Sequence, residues 1–195
     1  MSNIRTFIAV DVSAGVRTRT AELIRRLQAC GVKANWTKNS NLHLTLKFLG
    51  EIPDRRVPDV CRAITQSCAD FAPMRLNFRG AGAFPRHERP RTVWIGVEPE
   101  TDQLAALQEA IESHLYELGF PRERRRFKPH LTIGRVRSGG PEQQELGRLI
   151  QENCDFTAGS CQIEQVLAYG SFLDKSGPTY QVLGRAPLVQ SAVEN

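Results

Sequence analysis

Long apolar runs are missing from this 195-residue sequence. Nothing in it approaches the roughly 18 consecutive apolar residues of a membrane helix, so no membrane association is expected. The apolar stretch Phe7–Val10 is too short for the hydrophobic region of a secretion signal, and Asp11 follows at once. A cytoplasmic protein is expected. Low-complexity tracts are absent too, which confines expected disorder to the ends, Met1–Asn3 and Ser191–Asn195. The five cysteines are odd in number and cannot close a full disulfide framework. Cys61 and Cys68, like Cys154 and Cys161, stand seven residues apart, unlike a CxxC zinc pair. All five thiols, Cys30 included, are read as buried or half-buried, and neither a metal nor a cofactor is expected. No Walker A lysine loop and no Gly-x-Ser-x-Gly elbow occurs. Gly80-Ala81-Gly82 lacks the third glycine of a dinucleotide fingerprint, and Phe84-Pro85 breaks the helix that should follow.

What remains is a chain of ordinary globular composition, 41% hydrophobic and 24% charged. Its length suits one sizeable core rather than two. The net charge is +5, and the basic residues are clustered. Arg86, Arg89 and Arg91 form one group; Arg122, Arg124, Arg125, Arg126 and Lys128 form another, just before His130. Such clusters suit a polyanionic partner if they flank a site for a phosphate chain, and are solvated faces otherwise.

Hydrophobic periodicity predicts strands over Ile4–Val12, Leu42–Gly50, Met74–Phe84, Arg91–Val97 and His130–Val136, a long strand over Ser160–Phe172 and a last one over Thr179–Leu183. Helices are predicted over Ala14–Cys30, Asp54–Phe71, from a Thr101 cap to about Leu118, and over Pro141–Asn153. The two halves of this order align at a constant offset of 87 residues (43 to 130, 45 to 132). Phe7–Asp11 falls on Trp94–Glu98, His43-Leu44-Thr45-Leu46 on His130-Leu131-Thr132-Ile133, and Leu76 on Ile163. The expectation is a single domain, 1–195, with an internal repeat of about 4–84 and 91–172 that places equivalent residues across a cleft.

In each His-x-Thr the period of two puts the imidazole and the hydroxyl on one face of a strand, about 7 Å apart. Leu44 and Leu131 then point into the core. A facing pair of histidines suits phosphodiester cleavage: a neutral imidazole takes a proton from attacking water, and an imidazolium gives one to the leaving oxygen. Threonine hydroxyls donate to the non-bridging phosphate oxygens as charge develops. His87 and His114 have no partner motif and are read as an exposed loop residue and a surface or boundary residue.

Asn41-Leu42-His43-Leu44-Thr45-Leu46-Lys47-Phe48-Leu49-Gly50 and Lys128-Pro129-His130-Leu131-Thr132-Ile133-Gly134-Arg135-Val136 resemble the paired signatures of the two-histidine (2H) phosphoesterase superfamily. Arg5–Val10, Gly82–Pro85 with Arg91–Trp94, and Gly177-Pro178-x-Tyr180 resemble its RNA 2′,3′-cyclic phosphodiesterases, also called 2′-5′ RNA ligases. The resemblance implies an α+β, bilobal, duplicated fold, with two antiparallel sheets, helices packed outside and a central groove. It implies His43 as proton donor, His130 as proton acceptor activating water, and a 2′-phosphomonoester product. Thr45, Thr132 and Arg135 match phosphate-binding positions, and Phe48, Arg126 and Lys128 are assigned to the substrate groove. Implied partners are RNA ends bearing a 2′,3′-cyclic phosphate, tRNA fragments among them, acted on by a monomer; 2′-5′ ligation through the same site is implied by microscopic reversibility. A 2H enzyme for small cyclic nucleotides or 2′-5′ oligoadenylates is the alternative, and a non-catalytic RNA-binding module a second.

Overall fold

A computed structural model describes residues 2–98, 102–137, 139–174 and 177–189. The elements run β1 (Asn3–Asp11), α1 (Ala14–Gln28), β2 (Ala34–Trp36), β3 (His43–Pro53), α2 (Val57–Cys68), β4 (Met74–Phe84), β5 (Thr92–Val97), α3 (Asp102–Glu117), β6 (His130–Val136), α4 (Pro141–Glu152), β7 (Thr157–Ile163), β8 (Gln165–Asp174) and β9 (Gly177–Pro187). Ser13 caps α1, its hydroxyl accepting from the Val16 N–H at 3.3 Å. Val16, Leu23, Ile24 and Leu27 then form the buried stripe of that helix. Leu104, Leu107, Ile111 and Leu115 do the same for α3, as their spacing predicts, while Gln108 and Glu112 on the same helix are buried polar residues that periodicity does not reveal. The Thr101 cap lies outside the described residues. No helix among the described residues is long and apolar enough to cross a membrane.

The strands form one antiparallel array in the order β7-β4-β5-β6-β3-β1-β8-β9, with β2 added to β6. Outward from the β6/β3 junction, β6, β5 and β4 on one side correspond at the 87-residue offset to β3, β1 and β8 on the other. A single residue pair, Leu44 opposite Leu131, joins the two antiparallel halves of the array there, and both leucines are fully buried. Burying each contributes about 1.5–3 kcal/mol. The halves in space are not the halves of the sequence: β4 crosses to lie beside β5, and β8 returns to lie beside β1.

Helices cover these halves. α1 packs on β7, α4 on β4, and α2 on β8, β9 and α3.

Three sequence expectations change. The long strand Ser160–Phe172 is two strands broken at Glu164, with β7 paired to β4 and β8 to β1 at opposite parts of the array. Its apolar phase marks the break: Cys161 and Ile163 enter the main core on one parity, Val166 and Ala168 on the other. The short strand β2, three residues long, was not predicted. Asn3 is not frayed but opens β1, and the Ser2 carbonyl accepts from Asp54 N–H at 3.0 Å; Met1 and Ser191–Asn195 lie outside the described residues.

Candidate active site

His43 and Thr45 on β3 and His130 and Thr132 on β6 are all half-buried, alternating with fully buried neighbours. With Leu44 opposite Leu131, the register sets His43 across from Thr132 and Thr45 across from His130. The histidines are thus diagonal neighbours, about 7–8 Å apart between backbones in a regular sheet.

Each imidazole is held in the same way. His43 Nδ1 lies 2.8 Å from the Asn41 carbonyl, and His130 Nδ1 lies 2.7 Å from the Lys128 carbonyl. A carbonyl only accepts, so Nδ1 carries the proton in both rings and Nε2 is the atom that exchanges one. Asn41 and Lys128 are themselves 87 residues apart (41 to 128). The Asn41 side chain also donates to the Pro178 carbonyl at 2.8 Å, fastening the β8–β9 hairpin beside the first motif.

The surroundings of the two rings differ. Phe7 stacks on His43 at 4.7 Å between centroids, Tyr180 meets it edge-on at 5.2 Å, and Tyr169 stacks on Phe7 at 5.3 Å. Phe84 meets His130 edge-on at 5.1 Å, and Trp94 lies 6.3 Å away. The β1/β8 and β4/β5 ladders keep the 87-residue relation: Phe7 pairs with Tyr169, and Trp94 with Gly82. The motif strands do not keep it. Asp11 lies opposite His43, but Gly96 rather than Glu98 lies opposite His130, a slip of two residues.

That slip sets the electrostatics. Desolvation by burial is the main influence on both histidines and holds each pKa below its ordinary value, while the Asn41 and Lys128 carbonyls work against it. Asp11 favours the imidazolium at His43, partly offset by Arg17, whereas the charged neighbour acting on His130 is Arg135, which opposes protonation. Asp11 in turn accepts from Tyr169 Oη at 2.8 Å and from Arg17 Nη2 at 3.3 Å.

A groove of about 780 Å³ opens over the motif strands. Thr45 and Phe48 line one side, and His130, Thr132 and Arg135 the other; Arg125, Arg126 and Lys128 border it from the loop before β6. The Phe48 ring is 62% exposed, an apolar surface held in water at the groove. Arg135 reaches the Thr92 hydroxyl at 3.4 Å. The structure therefore separates the two basic clusters. Arg86, Arg89 and Arg91 do not line the groove; their loop packs on α4, where a Cβ at Gly147 would stand 2.3 Å from the His87 carbonyl oxygen. Arg122 is paired with Glu109.

Sequence reasoning missed the support behind the groove. Lys47 Nζ, buried, bonds Glu112 at 2.6 Å and the Pro121 carbonyl at 2.8 Å. Glu112 accepts from Gln108 at 3.2 Å and from the Glu123 N–H at 3.3 Å. This network ties β3 to α3 and to the start of the arginine loop. No local signal marked it: the period of two puts Lys47 on the face of His43 and Thr45, and the register shift between Ile8 and Ala9, which skips Leu46, turns it inward.

Two smaller readings are corrected. His87 is half-buried, not exposed, with Nδ1 enclosed, because its loop is pressed against α4. Cys154 is exposed, since it follows the C-terminal end of α4, while the other four thiols are buried or half-buried. His114 is a boundary residue, bonding Ser67 on α2 at 3.1 Å and its own Ala110 carbonyl at 3.0 Å.

A family model described as the 2′-5′ RNA ligase superfamily matches residues 16–166. An RNA 2′,3′-cyclic phosphodiesterase of Thermotoga maritima is 37% identical over 180 residues, 92% of this chain and 93% of that protein. One of Archaeoglobus fulgidus is 34% identical over 181 residues, 92% and 98% of the two chains. Among solved structures, TT0787 of Thermus thermophilus has a TM-score of 0.81 at 27% identity, covering 96% of this chain and 99% of its own. Escherichia coli LigT complexed with 3′-AMP shares the fold, with a TM-score of 0.75 at 22% identity over 97% and 100%.

Proposed function

The chain belongs to the 2′-5′ RNA ligase superfamily, and from that premise we propose that it is an RNA 2′,3′-cyclic phosphodiesterase working by paired histidine acid–base catalysis. The observation that carries the mechanism is the matched anchoring of His43 and His130 through Nδ1, combined with their unlike charged neighbours. His130, neutral and beside Arg135, takes the proton of the attacking water through Nε2. His43, whose imidazolium Asp11 favours, gives its Nε2 proton to the leaving 3′ oxygen. The product keeps its phosphate on the 2′ oxygen. Thr45, Thr132 and Arg135 meet the non-bridging oxygens, where negative charge builds in the transition state. An anionic phosphate between the rings raises both histidine pKa values, so substrate binding itself supplies the protonated partner.

The substrate class we assign is RNA ending in a 2′,3′-cyclic phosphate, tRNA fragments included. Phe48 offers a face for a base, and Arg126 and Lys128 sit where upstream phosphates would pass. Both histidines come from one chain, which supports a monomer as the working form. The ladder register common to β1/β8 and β4/β5 supports reading residues 1–195 as one domain with an internal repeat.

The test is turnover of a cyclic-ended oligonucleotide and of a small cyclic nucleotide phosphate, with chelator present and products identified. A 2′-phosphate from the oligonucleotide, formed at a higher kcat/KM than from the small substrate, is expected. Preference for the small substrate would shift the assignment to small cyclic nucleotides, and binding without turnover to an RNA-binding module.

A further inference from the structure

Beside the groove, a separate cavity of about 350 Å³ opens on the other side of His130. Phe84, Lys128 and His130 border both cavities. Its floor is the Trp94 indole, which lies flat on the sheet because Gly82 and Gly96 leave room for it. A Cβ at Gly82 would stand 2.2 Å from the indole ring, and one at Gly96 3.4 Å from the ring and 3.0 Å from the Arg79 carbonyl oxygen. Arg79 and Glu98, both exposed, form the far end. The matching position by His43 is closed: where Trp94 faces Gly82, Phe7 faces Tyr169, and Tyr180 packs against both rings. One histidine is walled in by its own aromatic rings, and the other opens onto an aromatic-floored cavity of small-ligand size.

We propose that this cavity binds the nucleoside at the 5′-hydroxyl end of a second RNA strand, making it the acceptor site for 2′-5′ joining. The proposal rests on His130 being the proton acceptor. In an in-line displacement the attacking oxygen approaches opposite the leaving one. If His43 protonates the departing 3′ oxygen, the attacker arrives from the His130 side, where this cavity lies. The acceptor 5′ oxygen forms the new bond to phosphorus as the P–O3′ bond breaks. His130 Nε2 takes the 5′-hydroxyl proton and His43 Nε2 gives one to O3′, leaving a 2′-5′ phosphodiester and a free 3′-hydroxyl. The base stacks on Trp94, Glu98 accepts from its exocyclic amine, and Arg79 takes the next phosphate of the acceptor.

Two measurements test this. In a Trp36→Phe variant, which keeps a ring over Gly134 and leaves Trp94 as the sole indole, a 5′-hydroxyl dinucleotide should quench the fluorescence saturably. With a mononucleotide 2′,3′-cyclic phosphate as donor, the ratio of 2′-5′-joined product to 2′-phosphate should saturate with the same dinucleotide. Arg79→Ala and Glu98→Ala should each lower that ratio about tenfold at sub-saturating acceptor, the scale of one lost base or phosphate contact. Because the ratio is internal to each variant, a general loss of activity cancels. A ratio rising linearly with acceptor and unchanged in both variants would overturn the proposal. So would variants that raise KM for the cyclic nucleotide while leaving the ratio alone, since the cavity would then hold the donor's own base. Absence of any cyclic phosphate turnover would instead strike the proposed function, with quenching alone judging the cavity.

Discussion

On the proposed mechanism His43→Ala and His130→Ala each remove one proton transfer, and the turnover of a cyclic-ended oligonucleotide is expected to fall about 10²–10⁴-fold in either variant. Activity within a few-fold of the parent would remove that residue from the mechanism. The pH profile carries more information. With one imidazole neutral and the other protonated, kcat/KM should be bell-shaped, its limbs belonging to the coupled pair. Arg135 holds the His130 pKa down, so Arg135→Gln should move the acidic limb to higher pH besides lowering the rate. Asp11 raises that of His43, so Asp11→Asn should move the alkaline limb to lower pH. Limbs that stay in place in both variants would mean that these charges do not divide the roles. The His-x-Thr pairs were legible in the sequence because chemistry and strand period coincide there. The distinct part of Asp11 was not, because its repeat equivalent Glu98 is also acidic, and only the two-residue slip of β6 against β5, which no local pattern encodes, leaves a carboxylate opposite His43 alone.

At the scale of elements, the Lys47–Glu112 pair joins β3 to α3 with both side chains out of water. Removing one partner leaves a buried charge unmatched, so Lys47→Met should cost about 3–5 kcal/mol in urea unfolding. Replacing both, as Lys47→Met with Glu112→Leu, should restore much of that loss, because two apolar side chains need no counter-charge. A double variant no more stable than the single one would show that the loop bonds to Pro121 and Glu123 matter more than the pair. The β3/β6 junction is another such joint. Leu44→Ala leaves a cavity at the single pair linking the two parts of the sheet, and a loss of about 2–5 kcal/mol is expected.

For the whole molecule, ionic strength separates the groove from the reacting phosphate. Binding of a cyclic-ended oligonucleotide should weaken steeply with salt through Arg125, Arg126 and Lys128, and that of a mononucleotide cyclic phosphate less so. Equal slopes for the two substrates would make the loop arginines a solvated face. Stability should depend on pH with a definite sign. Both motif histidines have folded pKa values below the ordinary one, so the unfolded chain binds more protons in between. Stability is then fully present above about pH 6.5 and lost as pH falls through the folded values. A Tm that rises on acidification over that range would contradict the burial of these imidazoles.

The sequence by itself determined the helices, most of the strands and the paired motifs, since each follows from a local period of 3.6 or 2 and from the chemistry of the residue types; Phe48 and Arg135 were legible only through the resemblance to a family, because the period of two alone would turn both toward the core. The lesser members of the site were decided by tertiary structure. The exchange of β4 and β8 between halves, the break at Glu164, the network behind Lys47 and the split of one basic surface into a groove loop and a loop on α4 all depend on contacts between residues far apart in the chain. Local periodicity repeats in both halves and therefore predicts symmetry. The register of β6 against β5, fixed by packing across the whole sheet, breaks it, placing a carboxylate beside one histidine and a glycine beside the other.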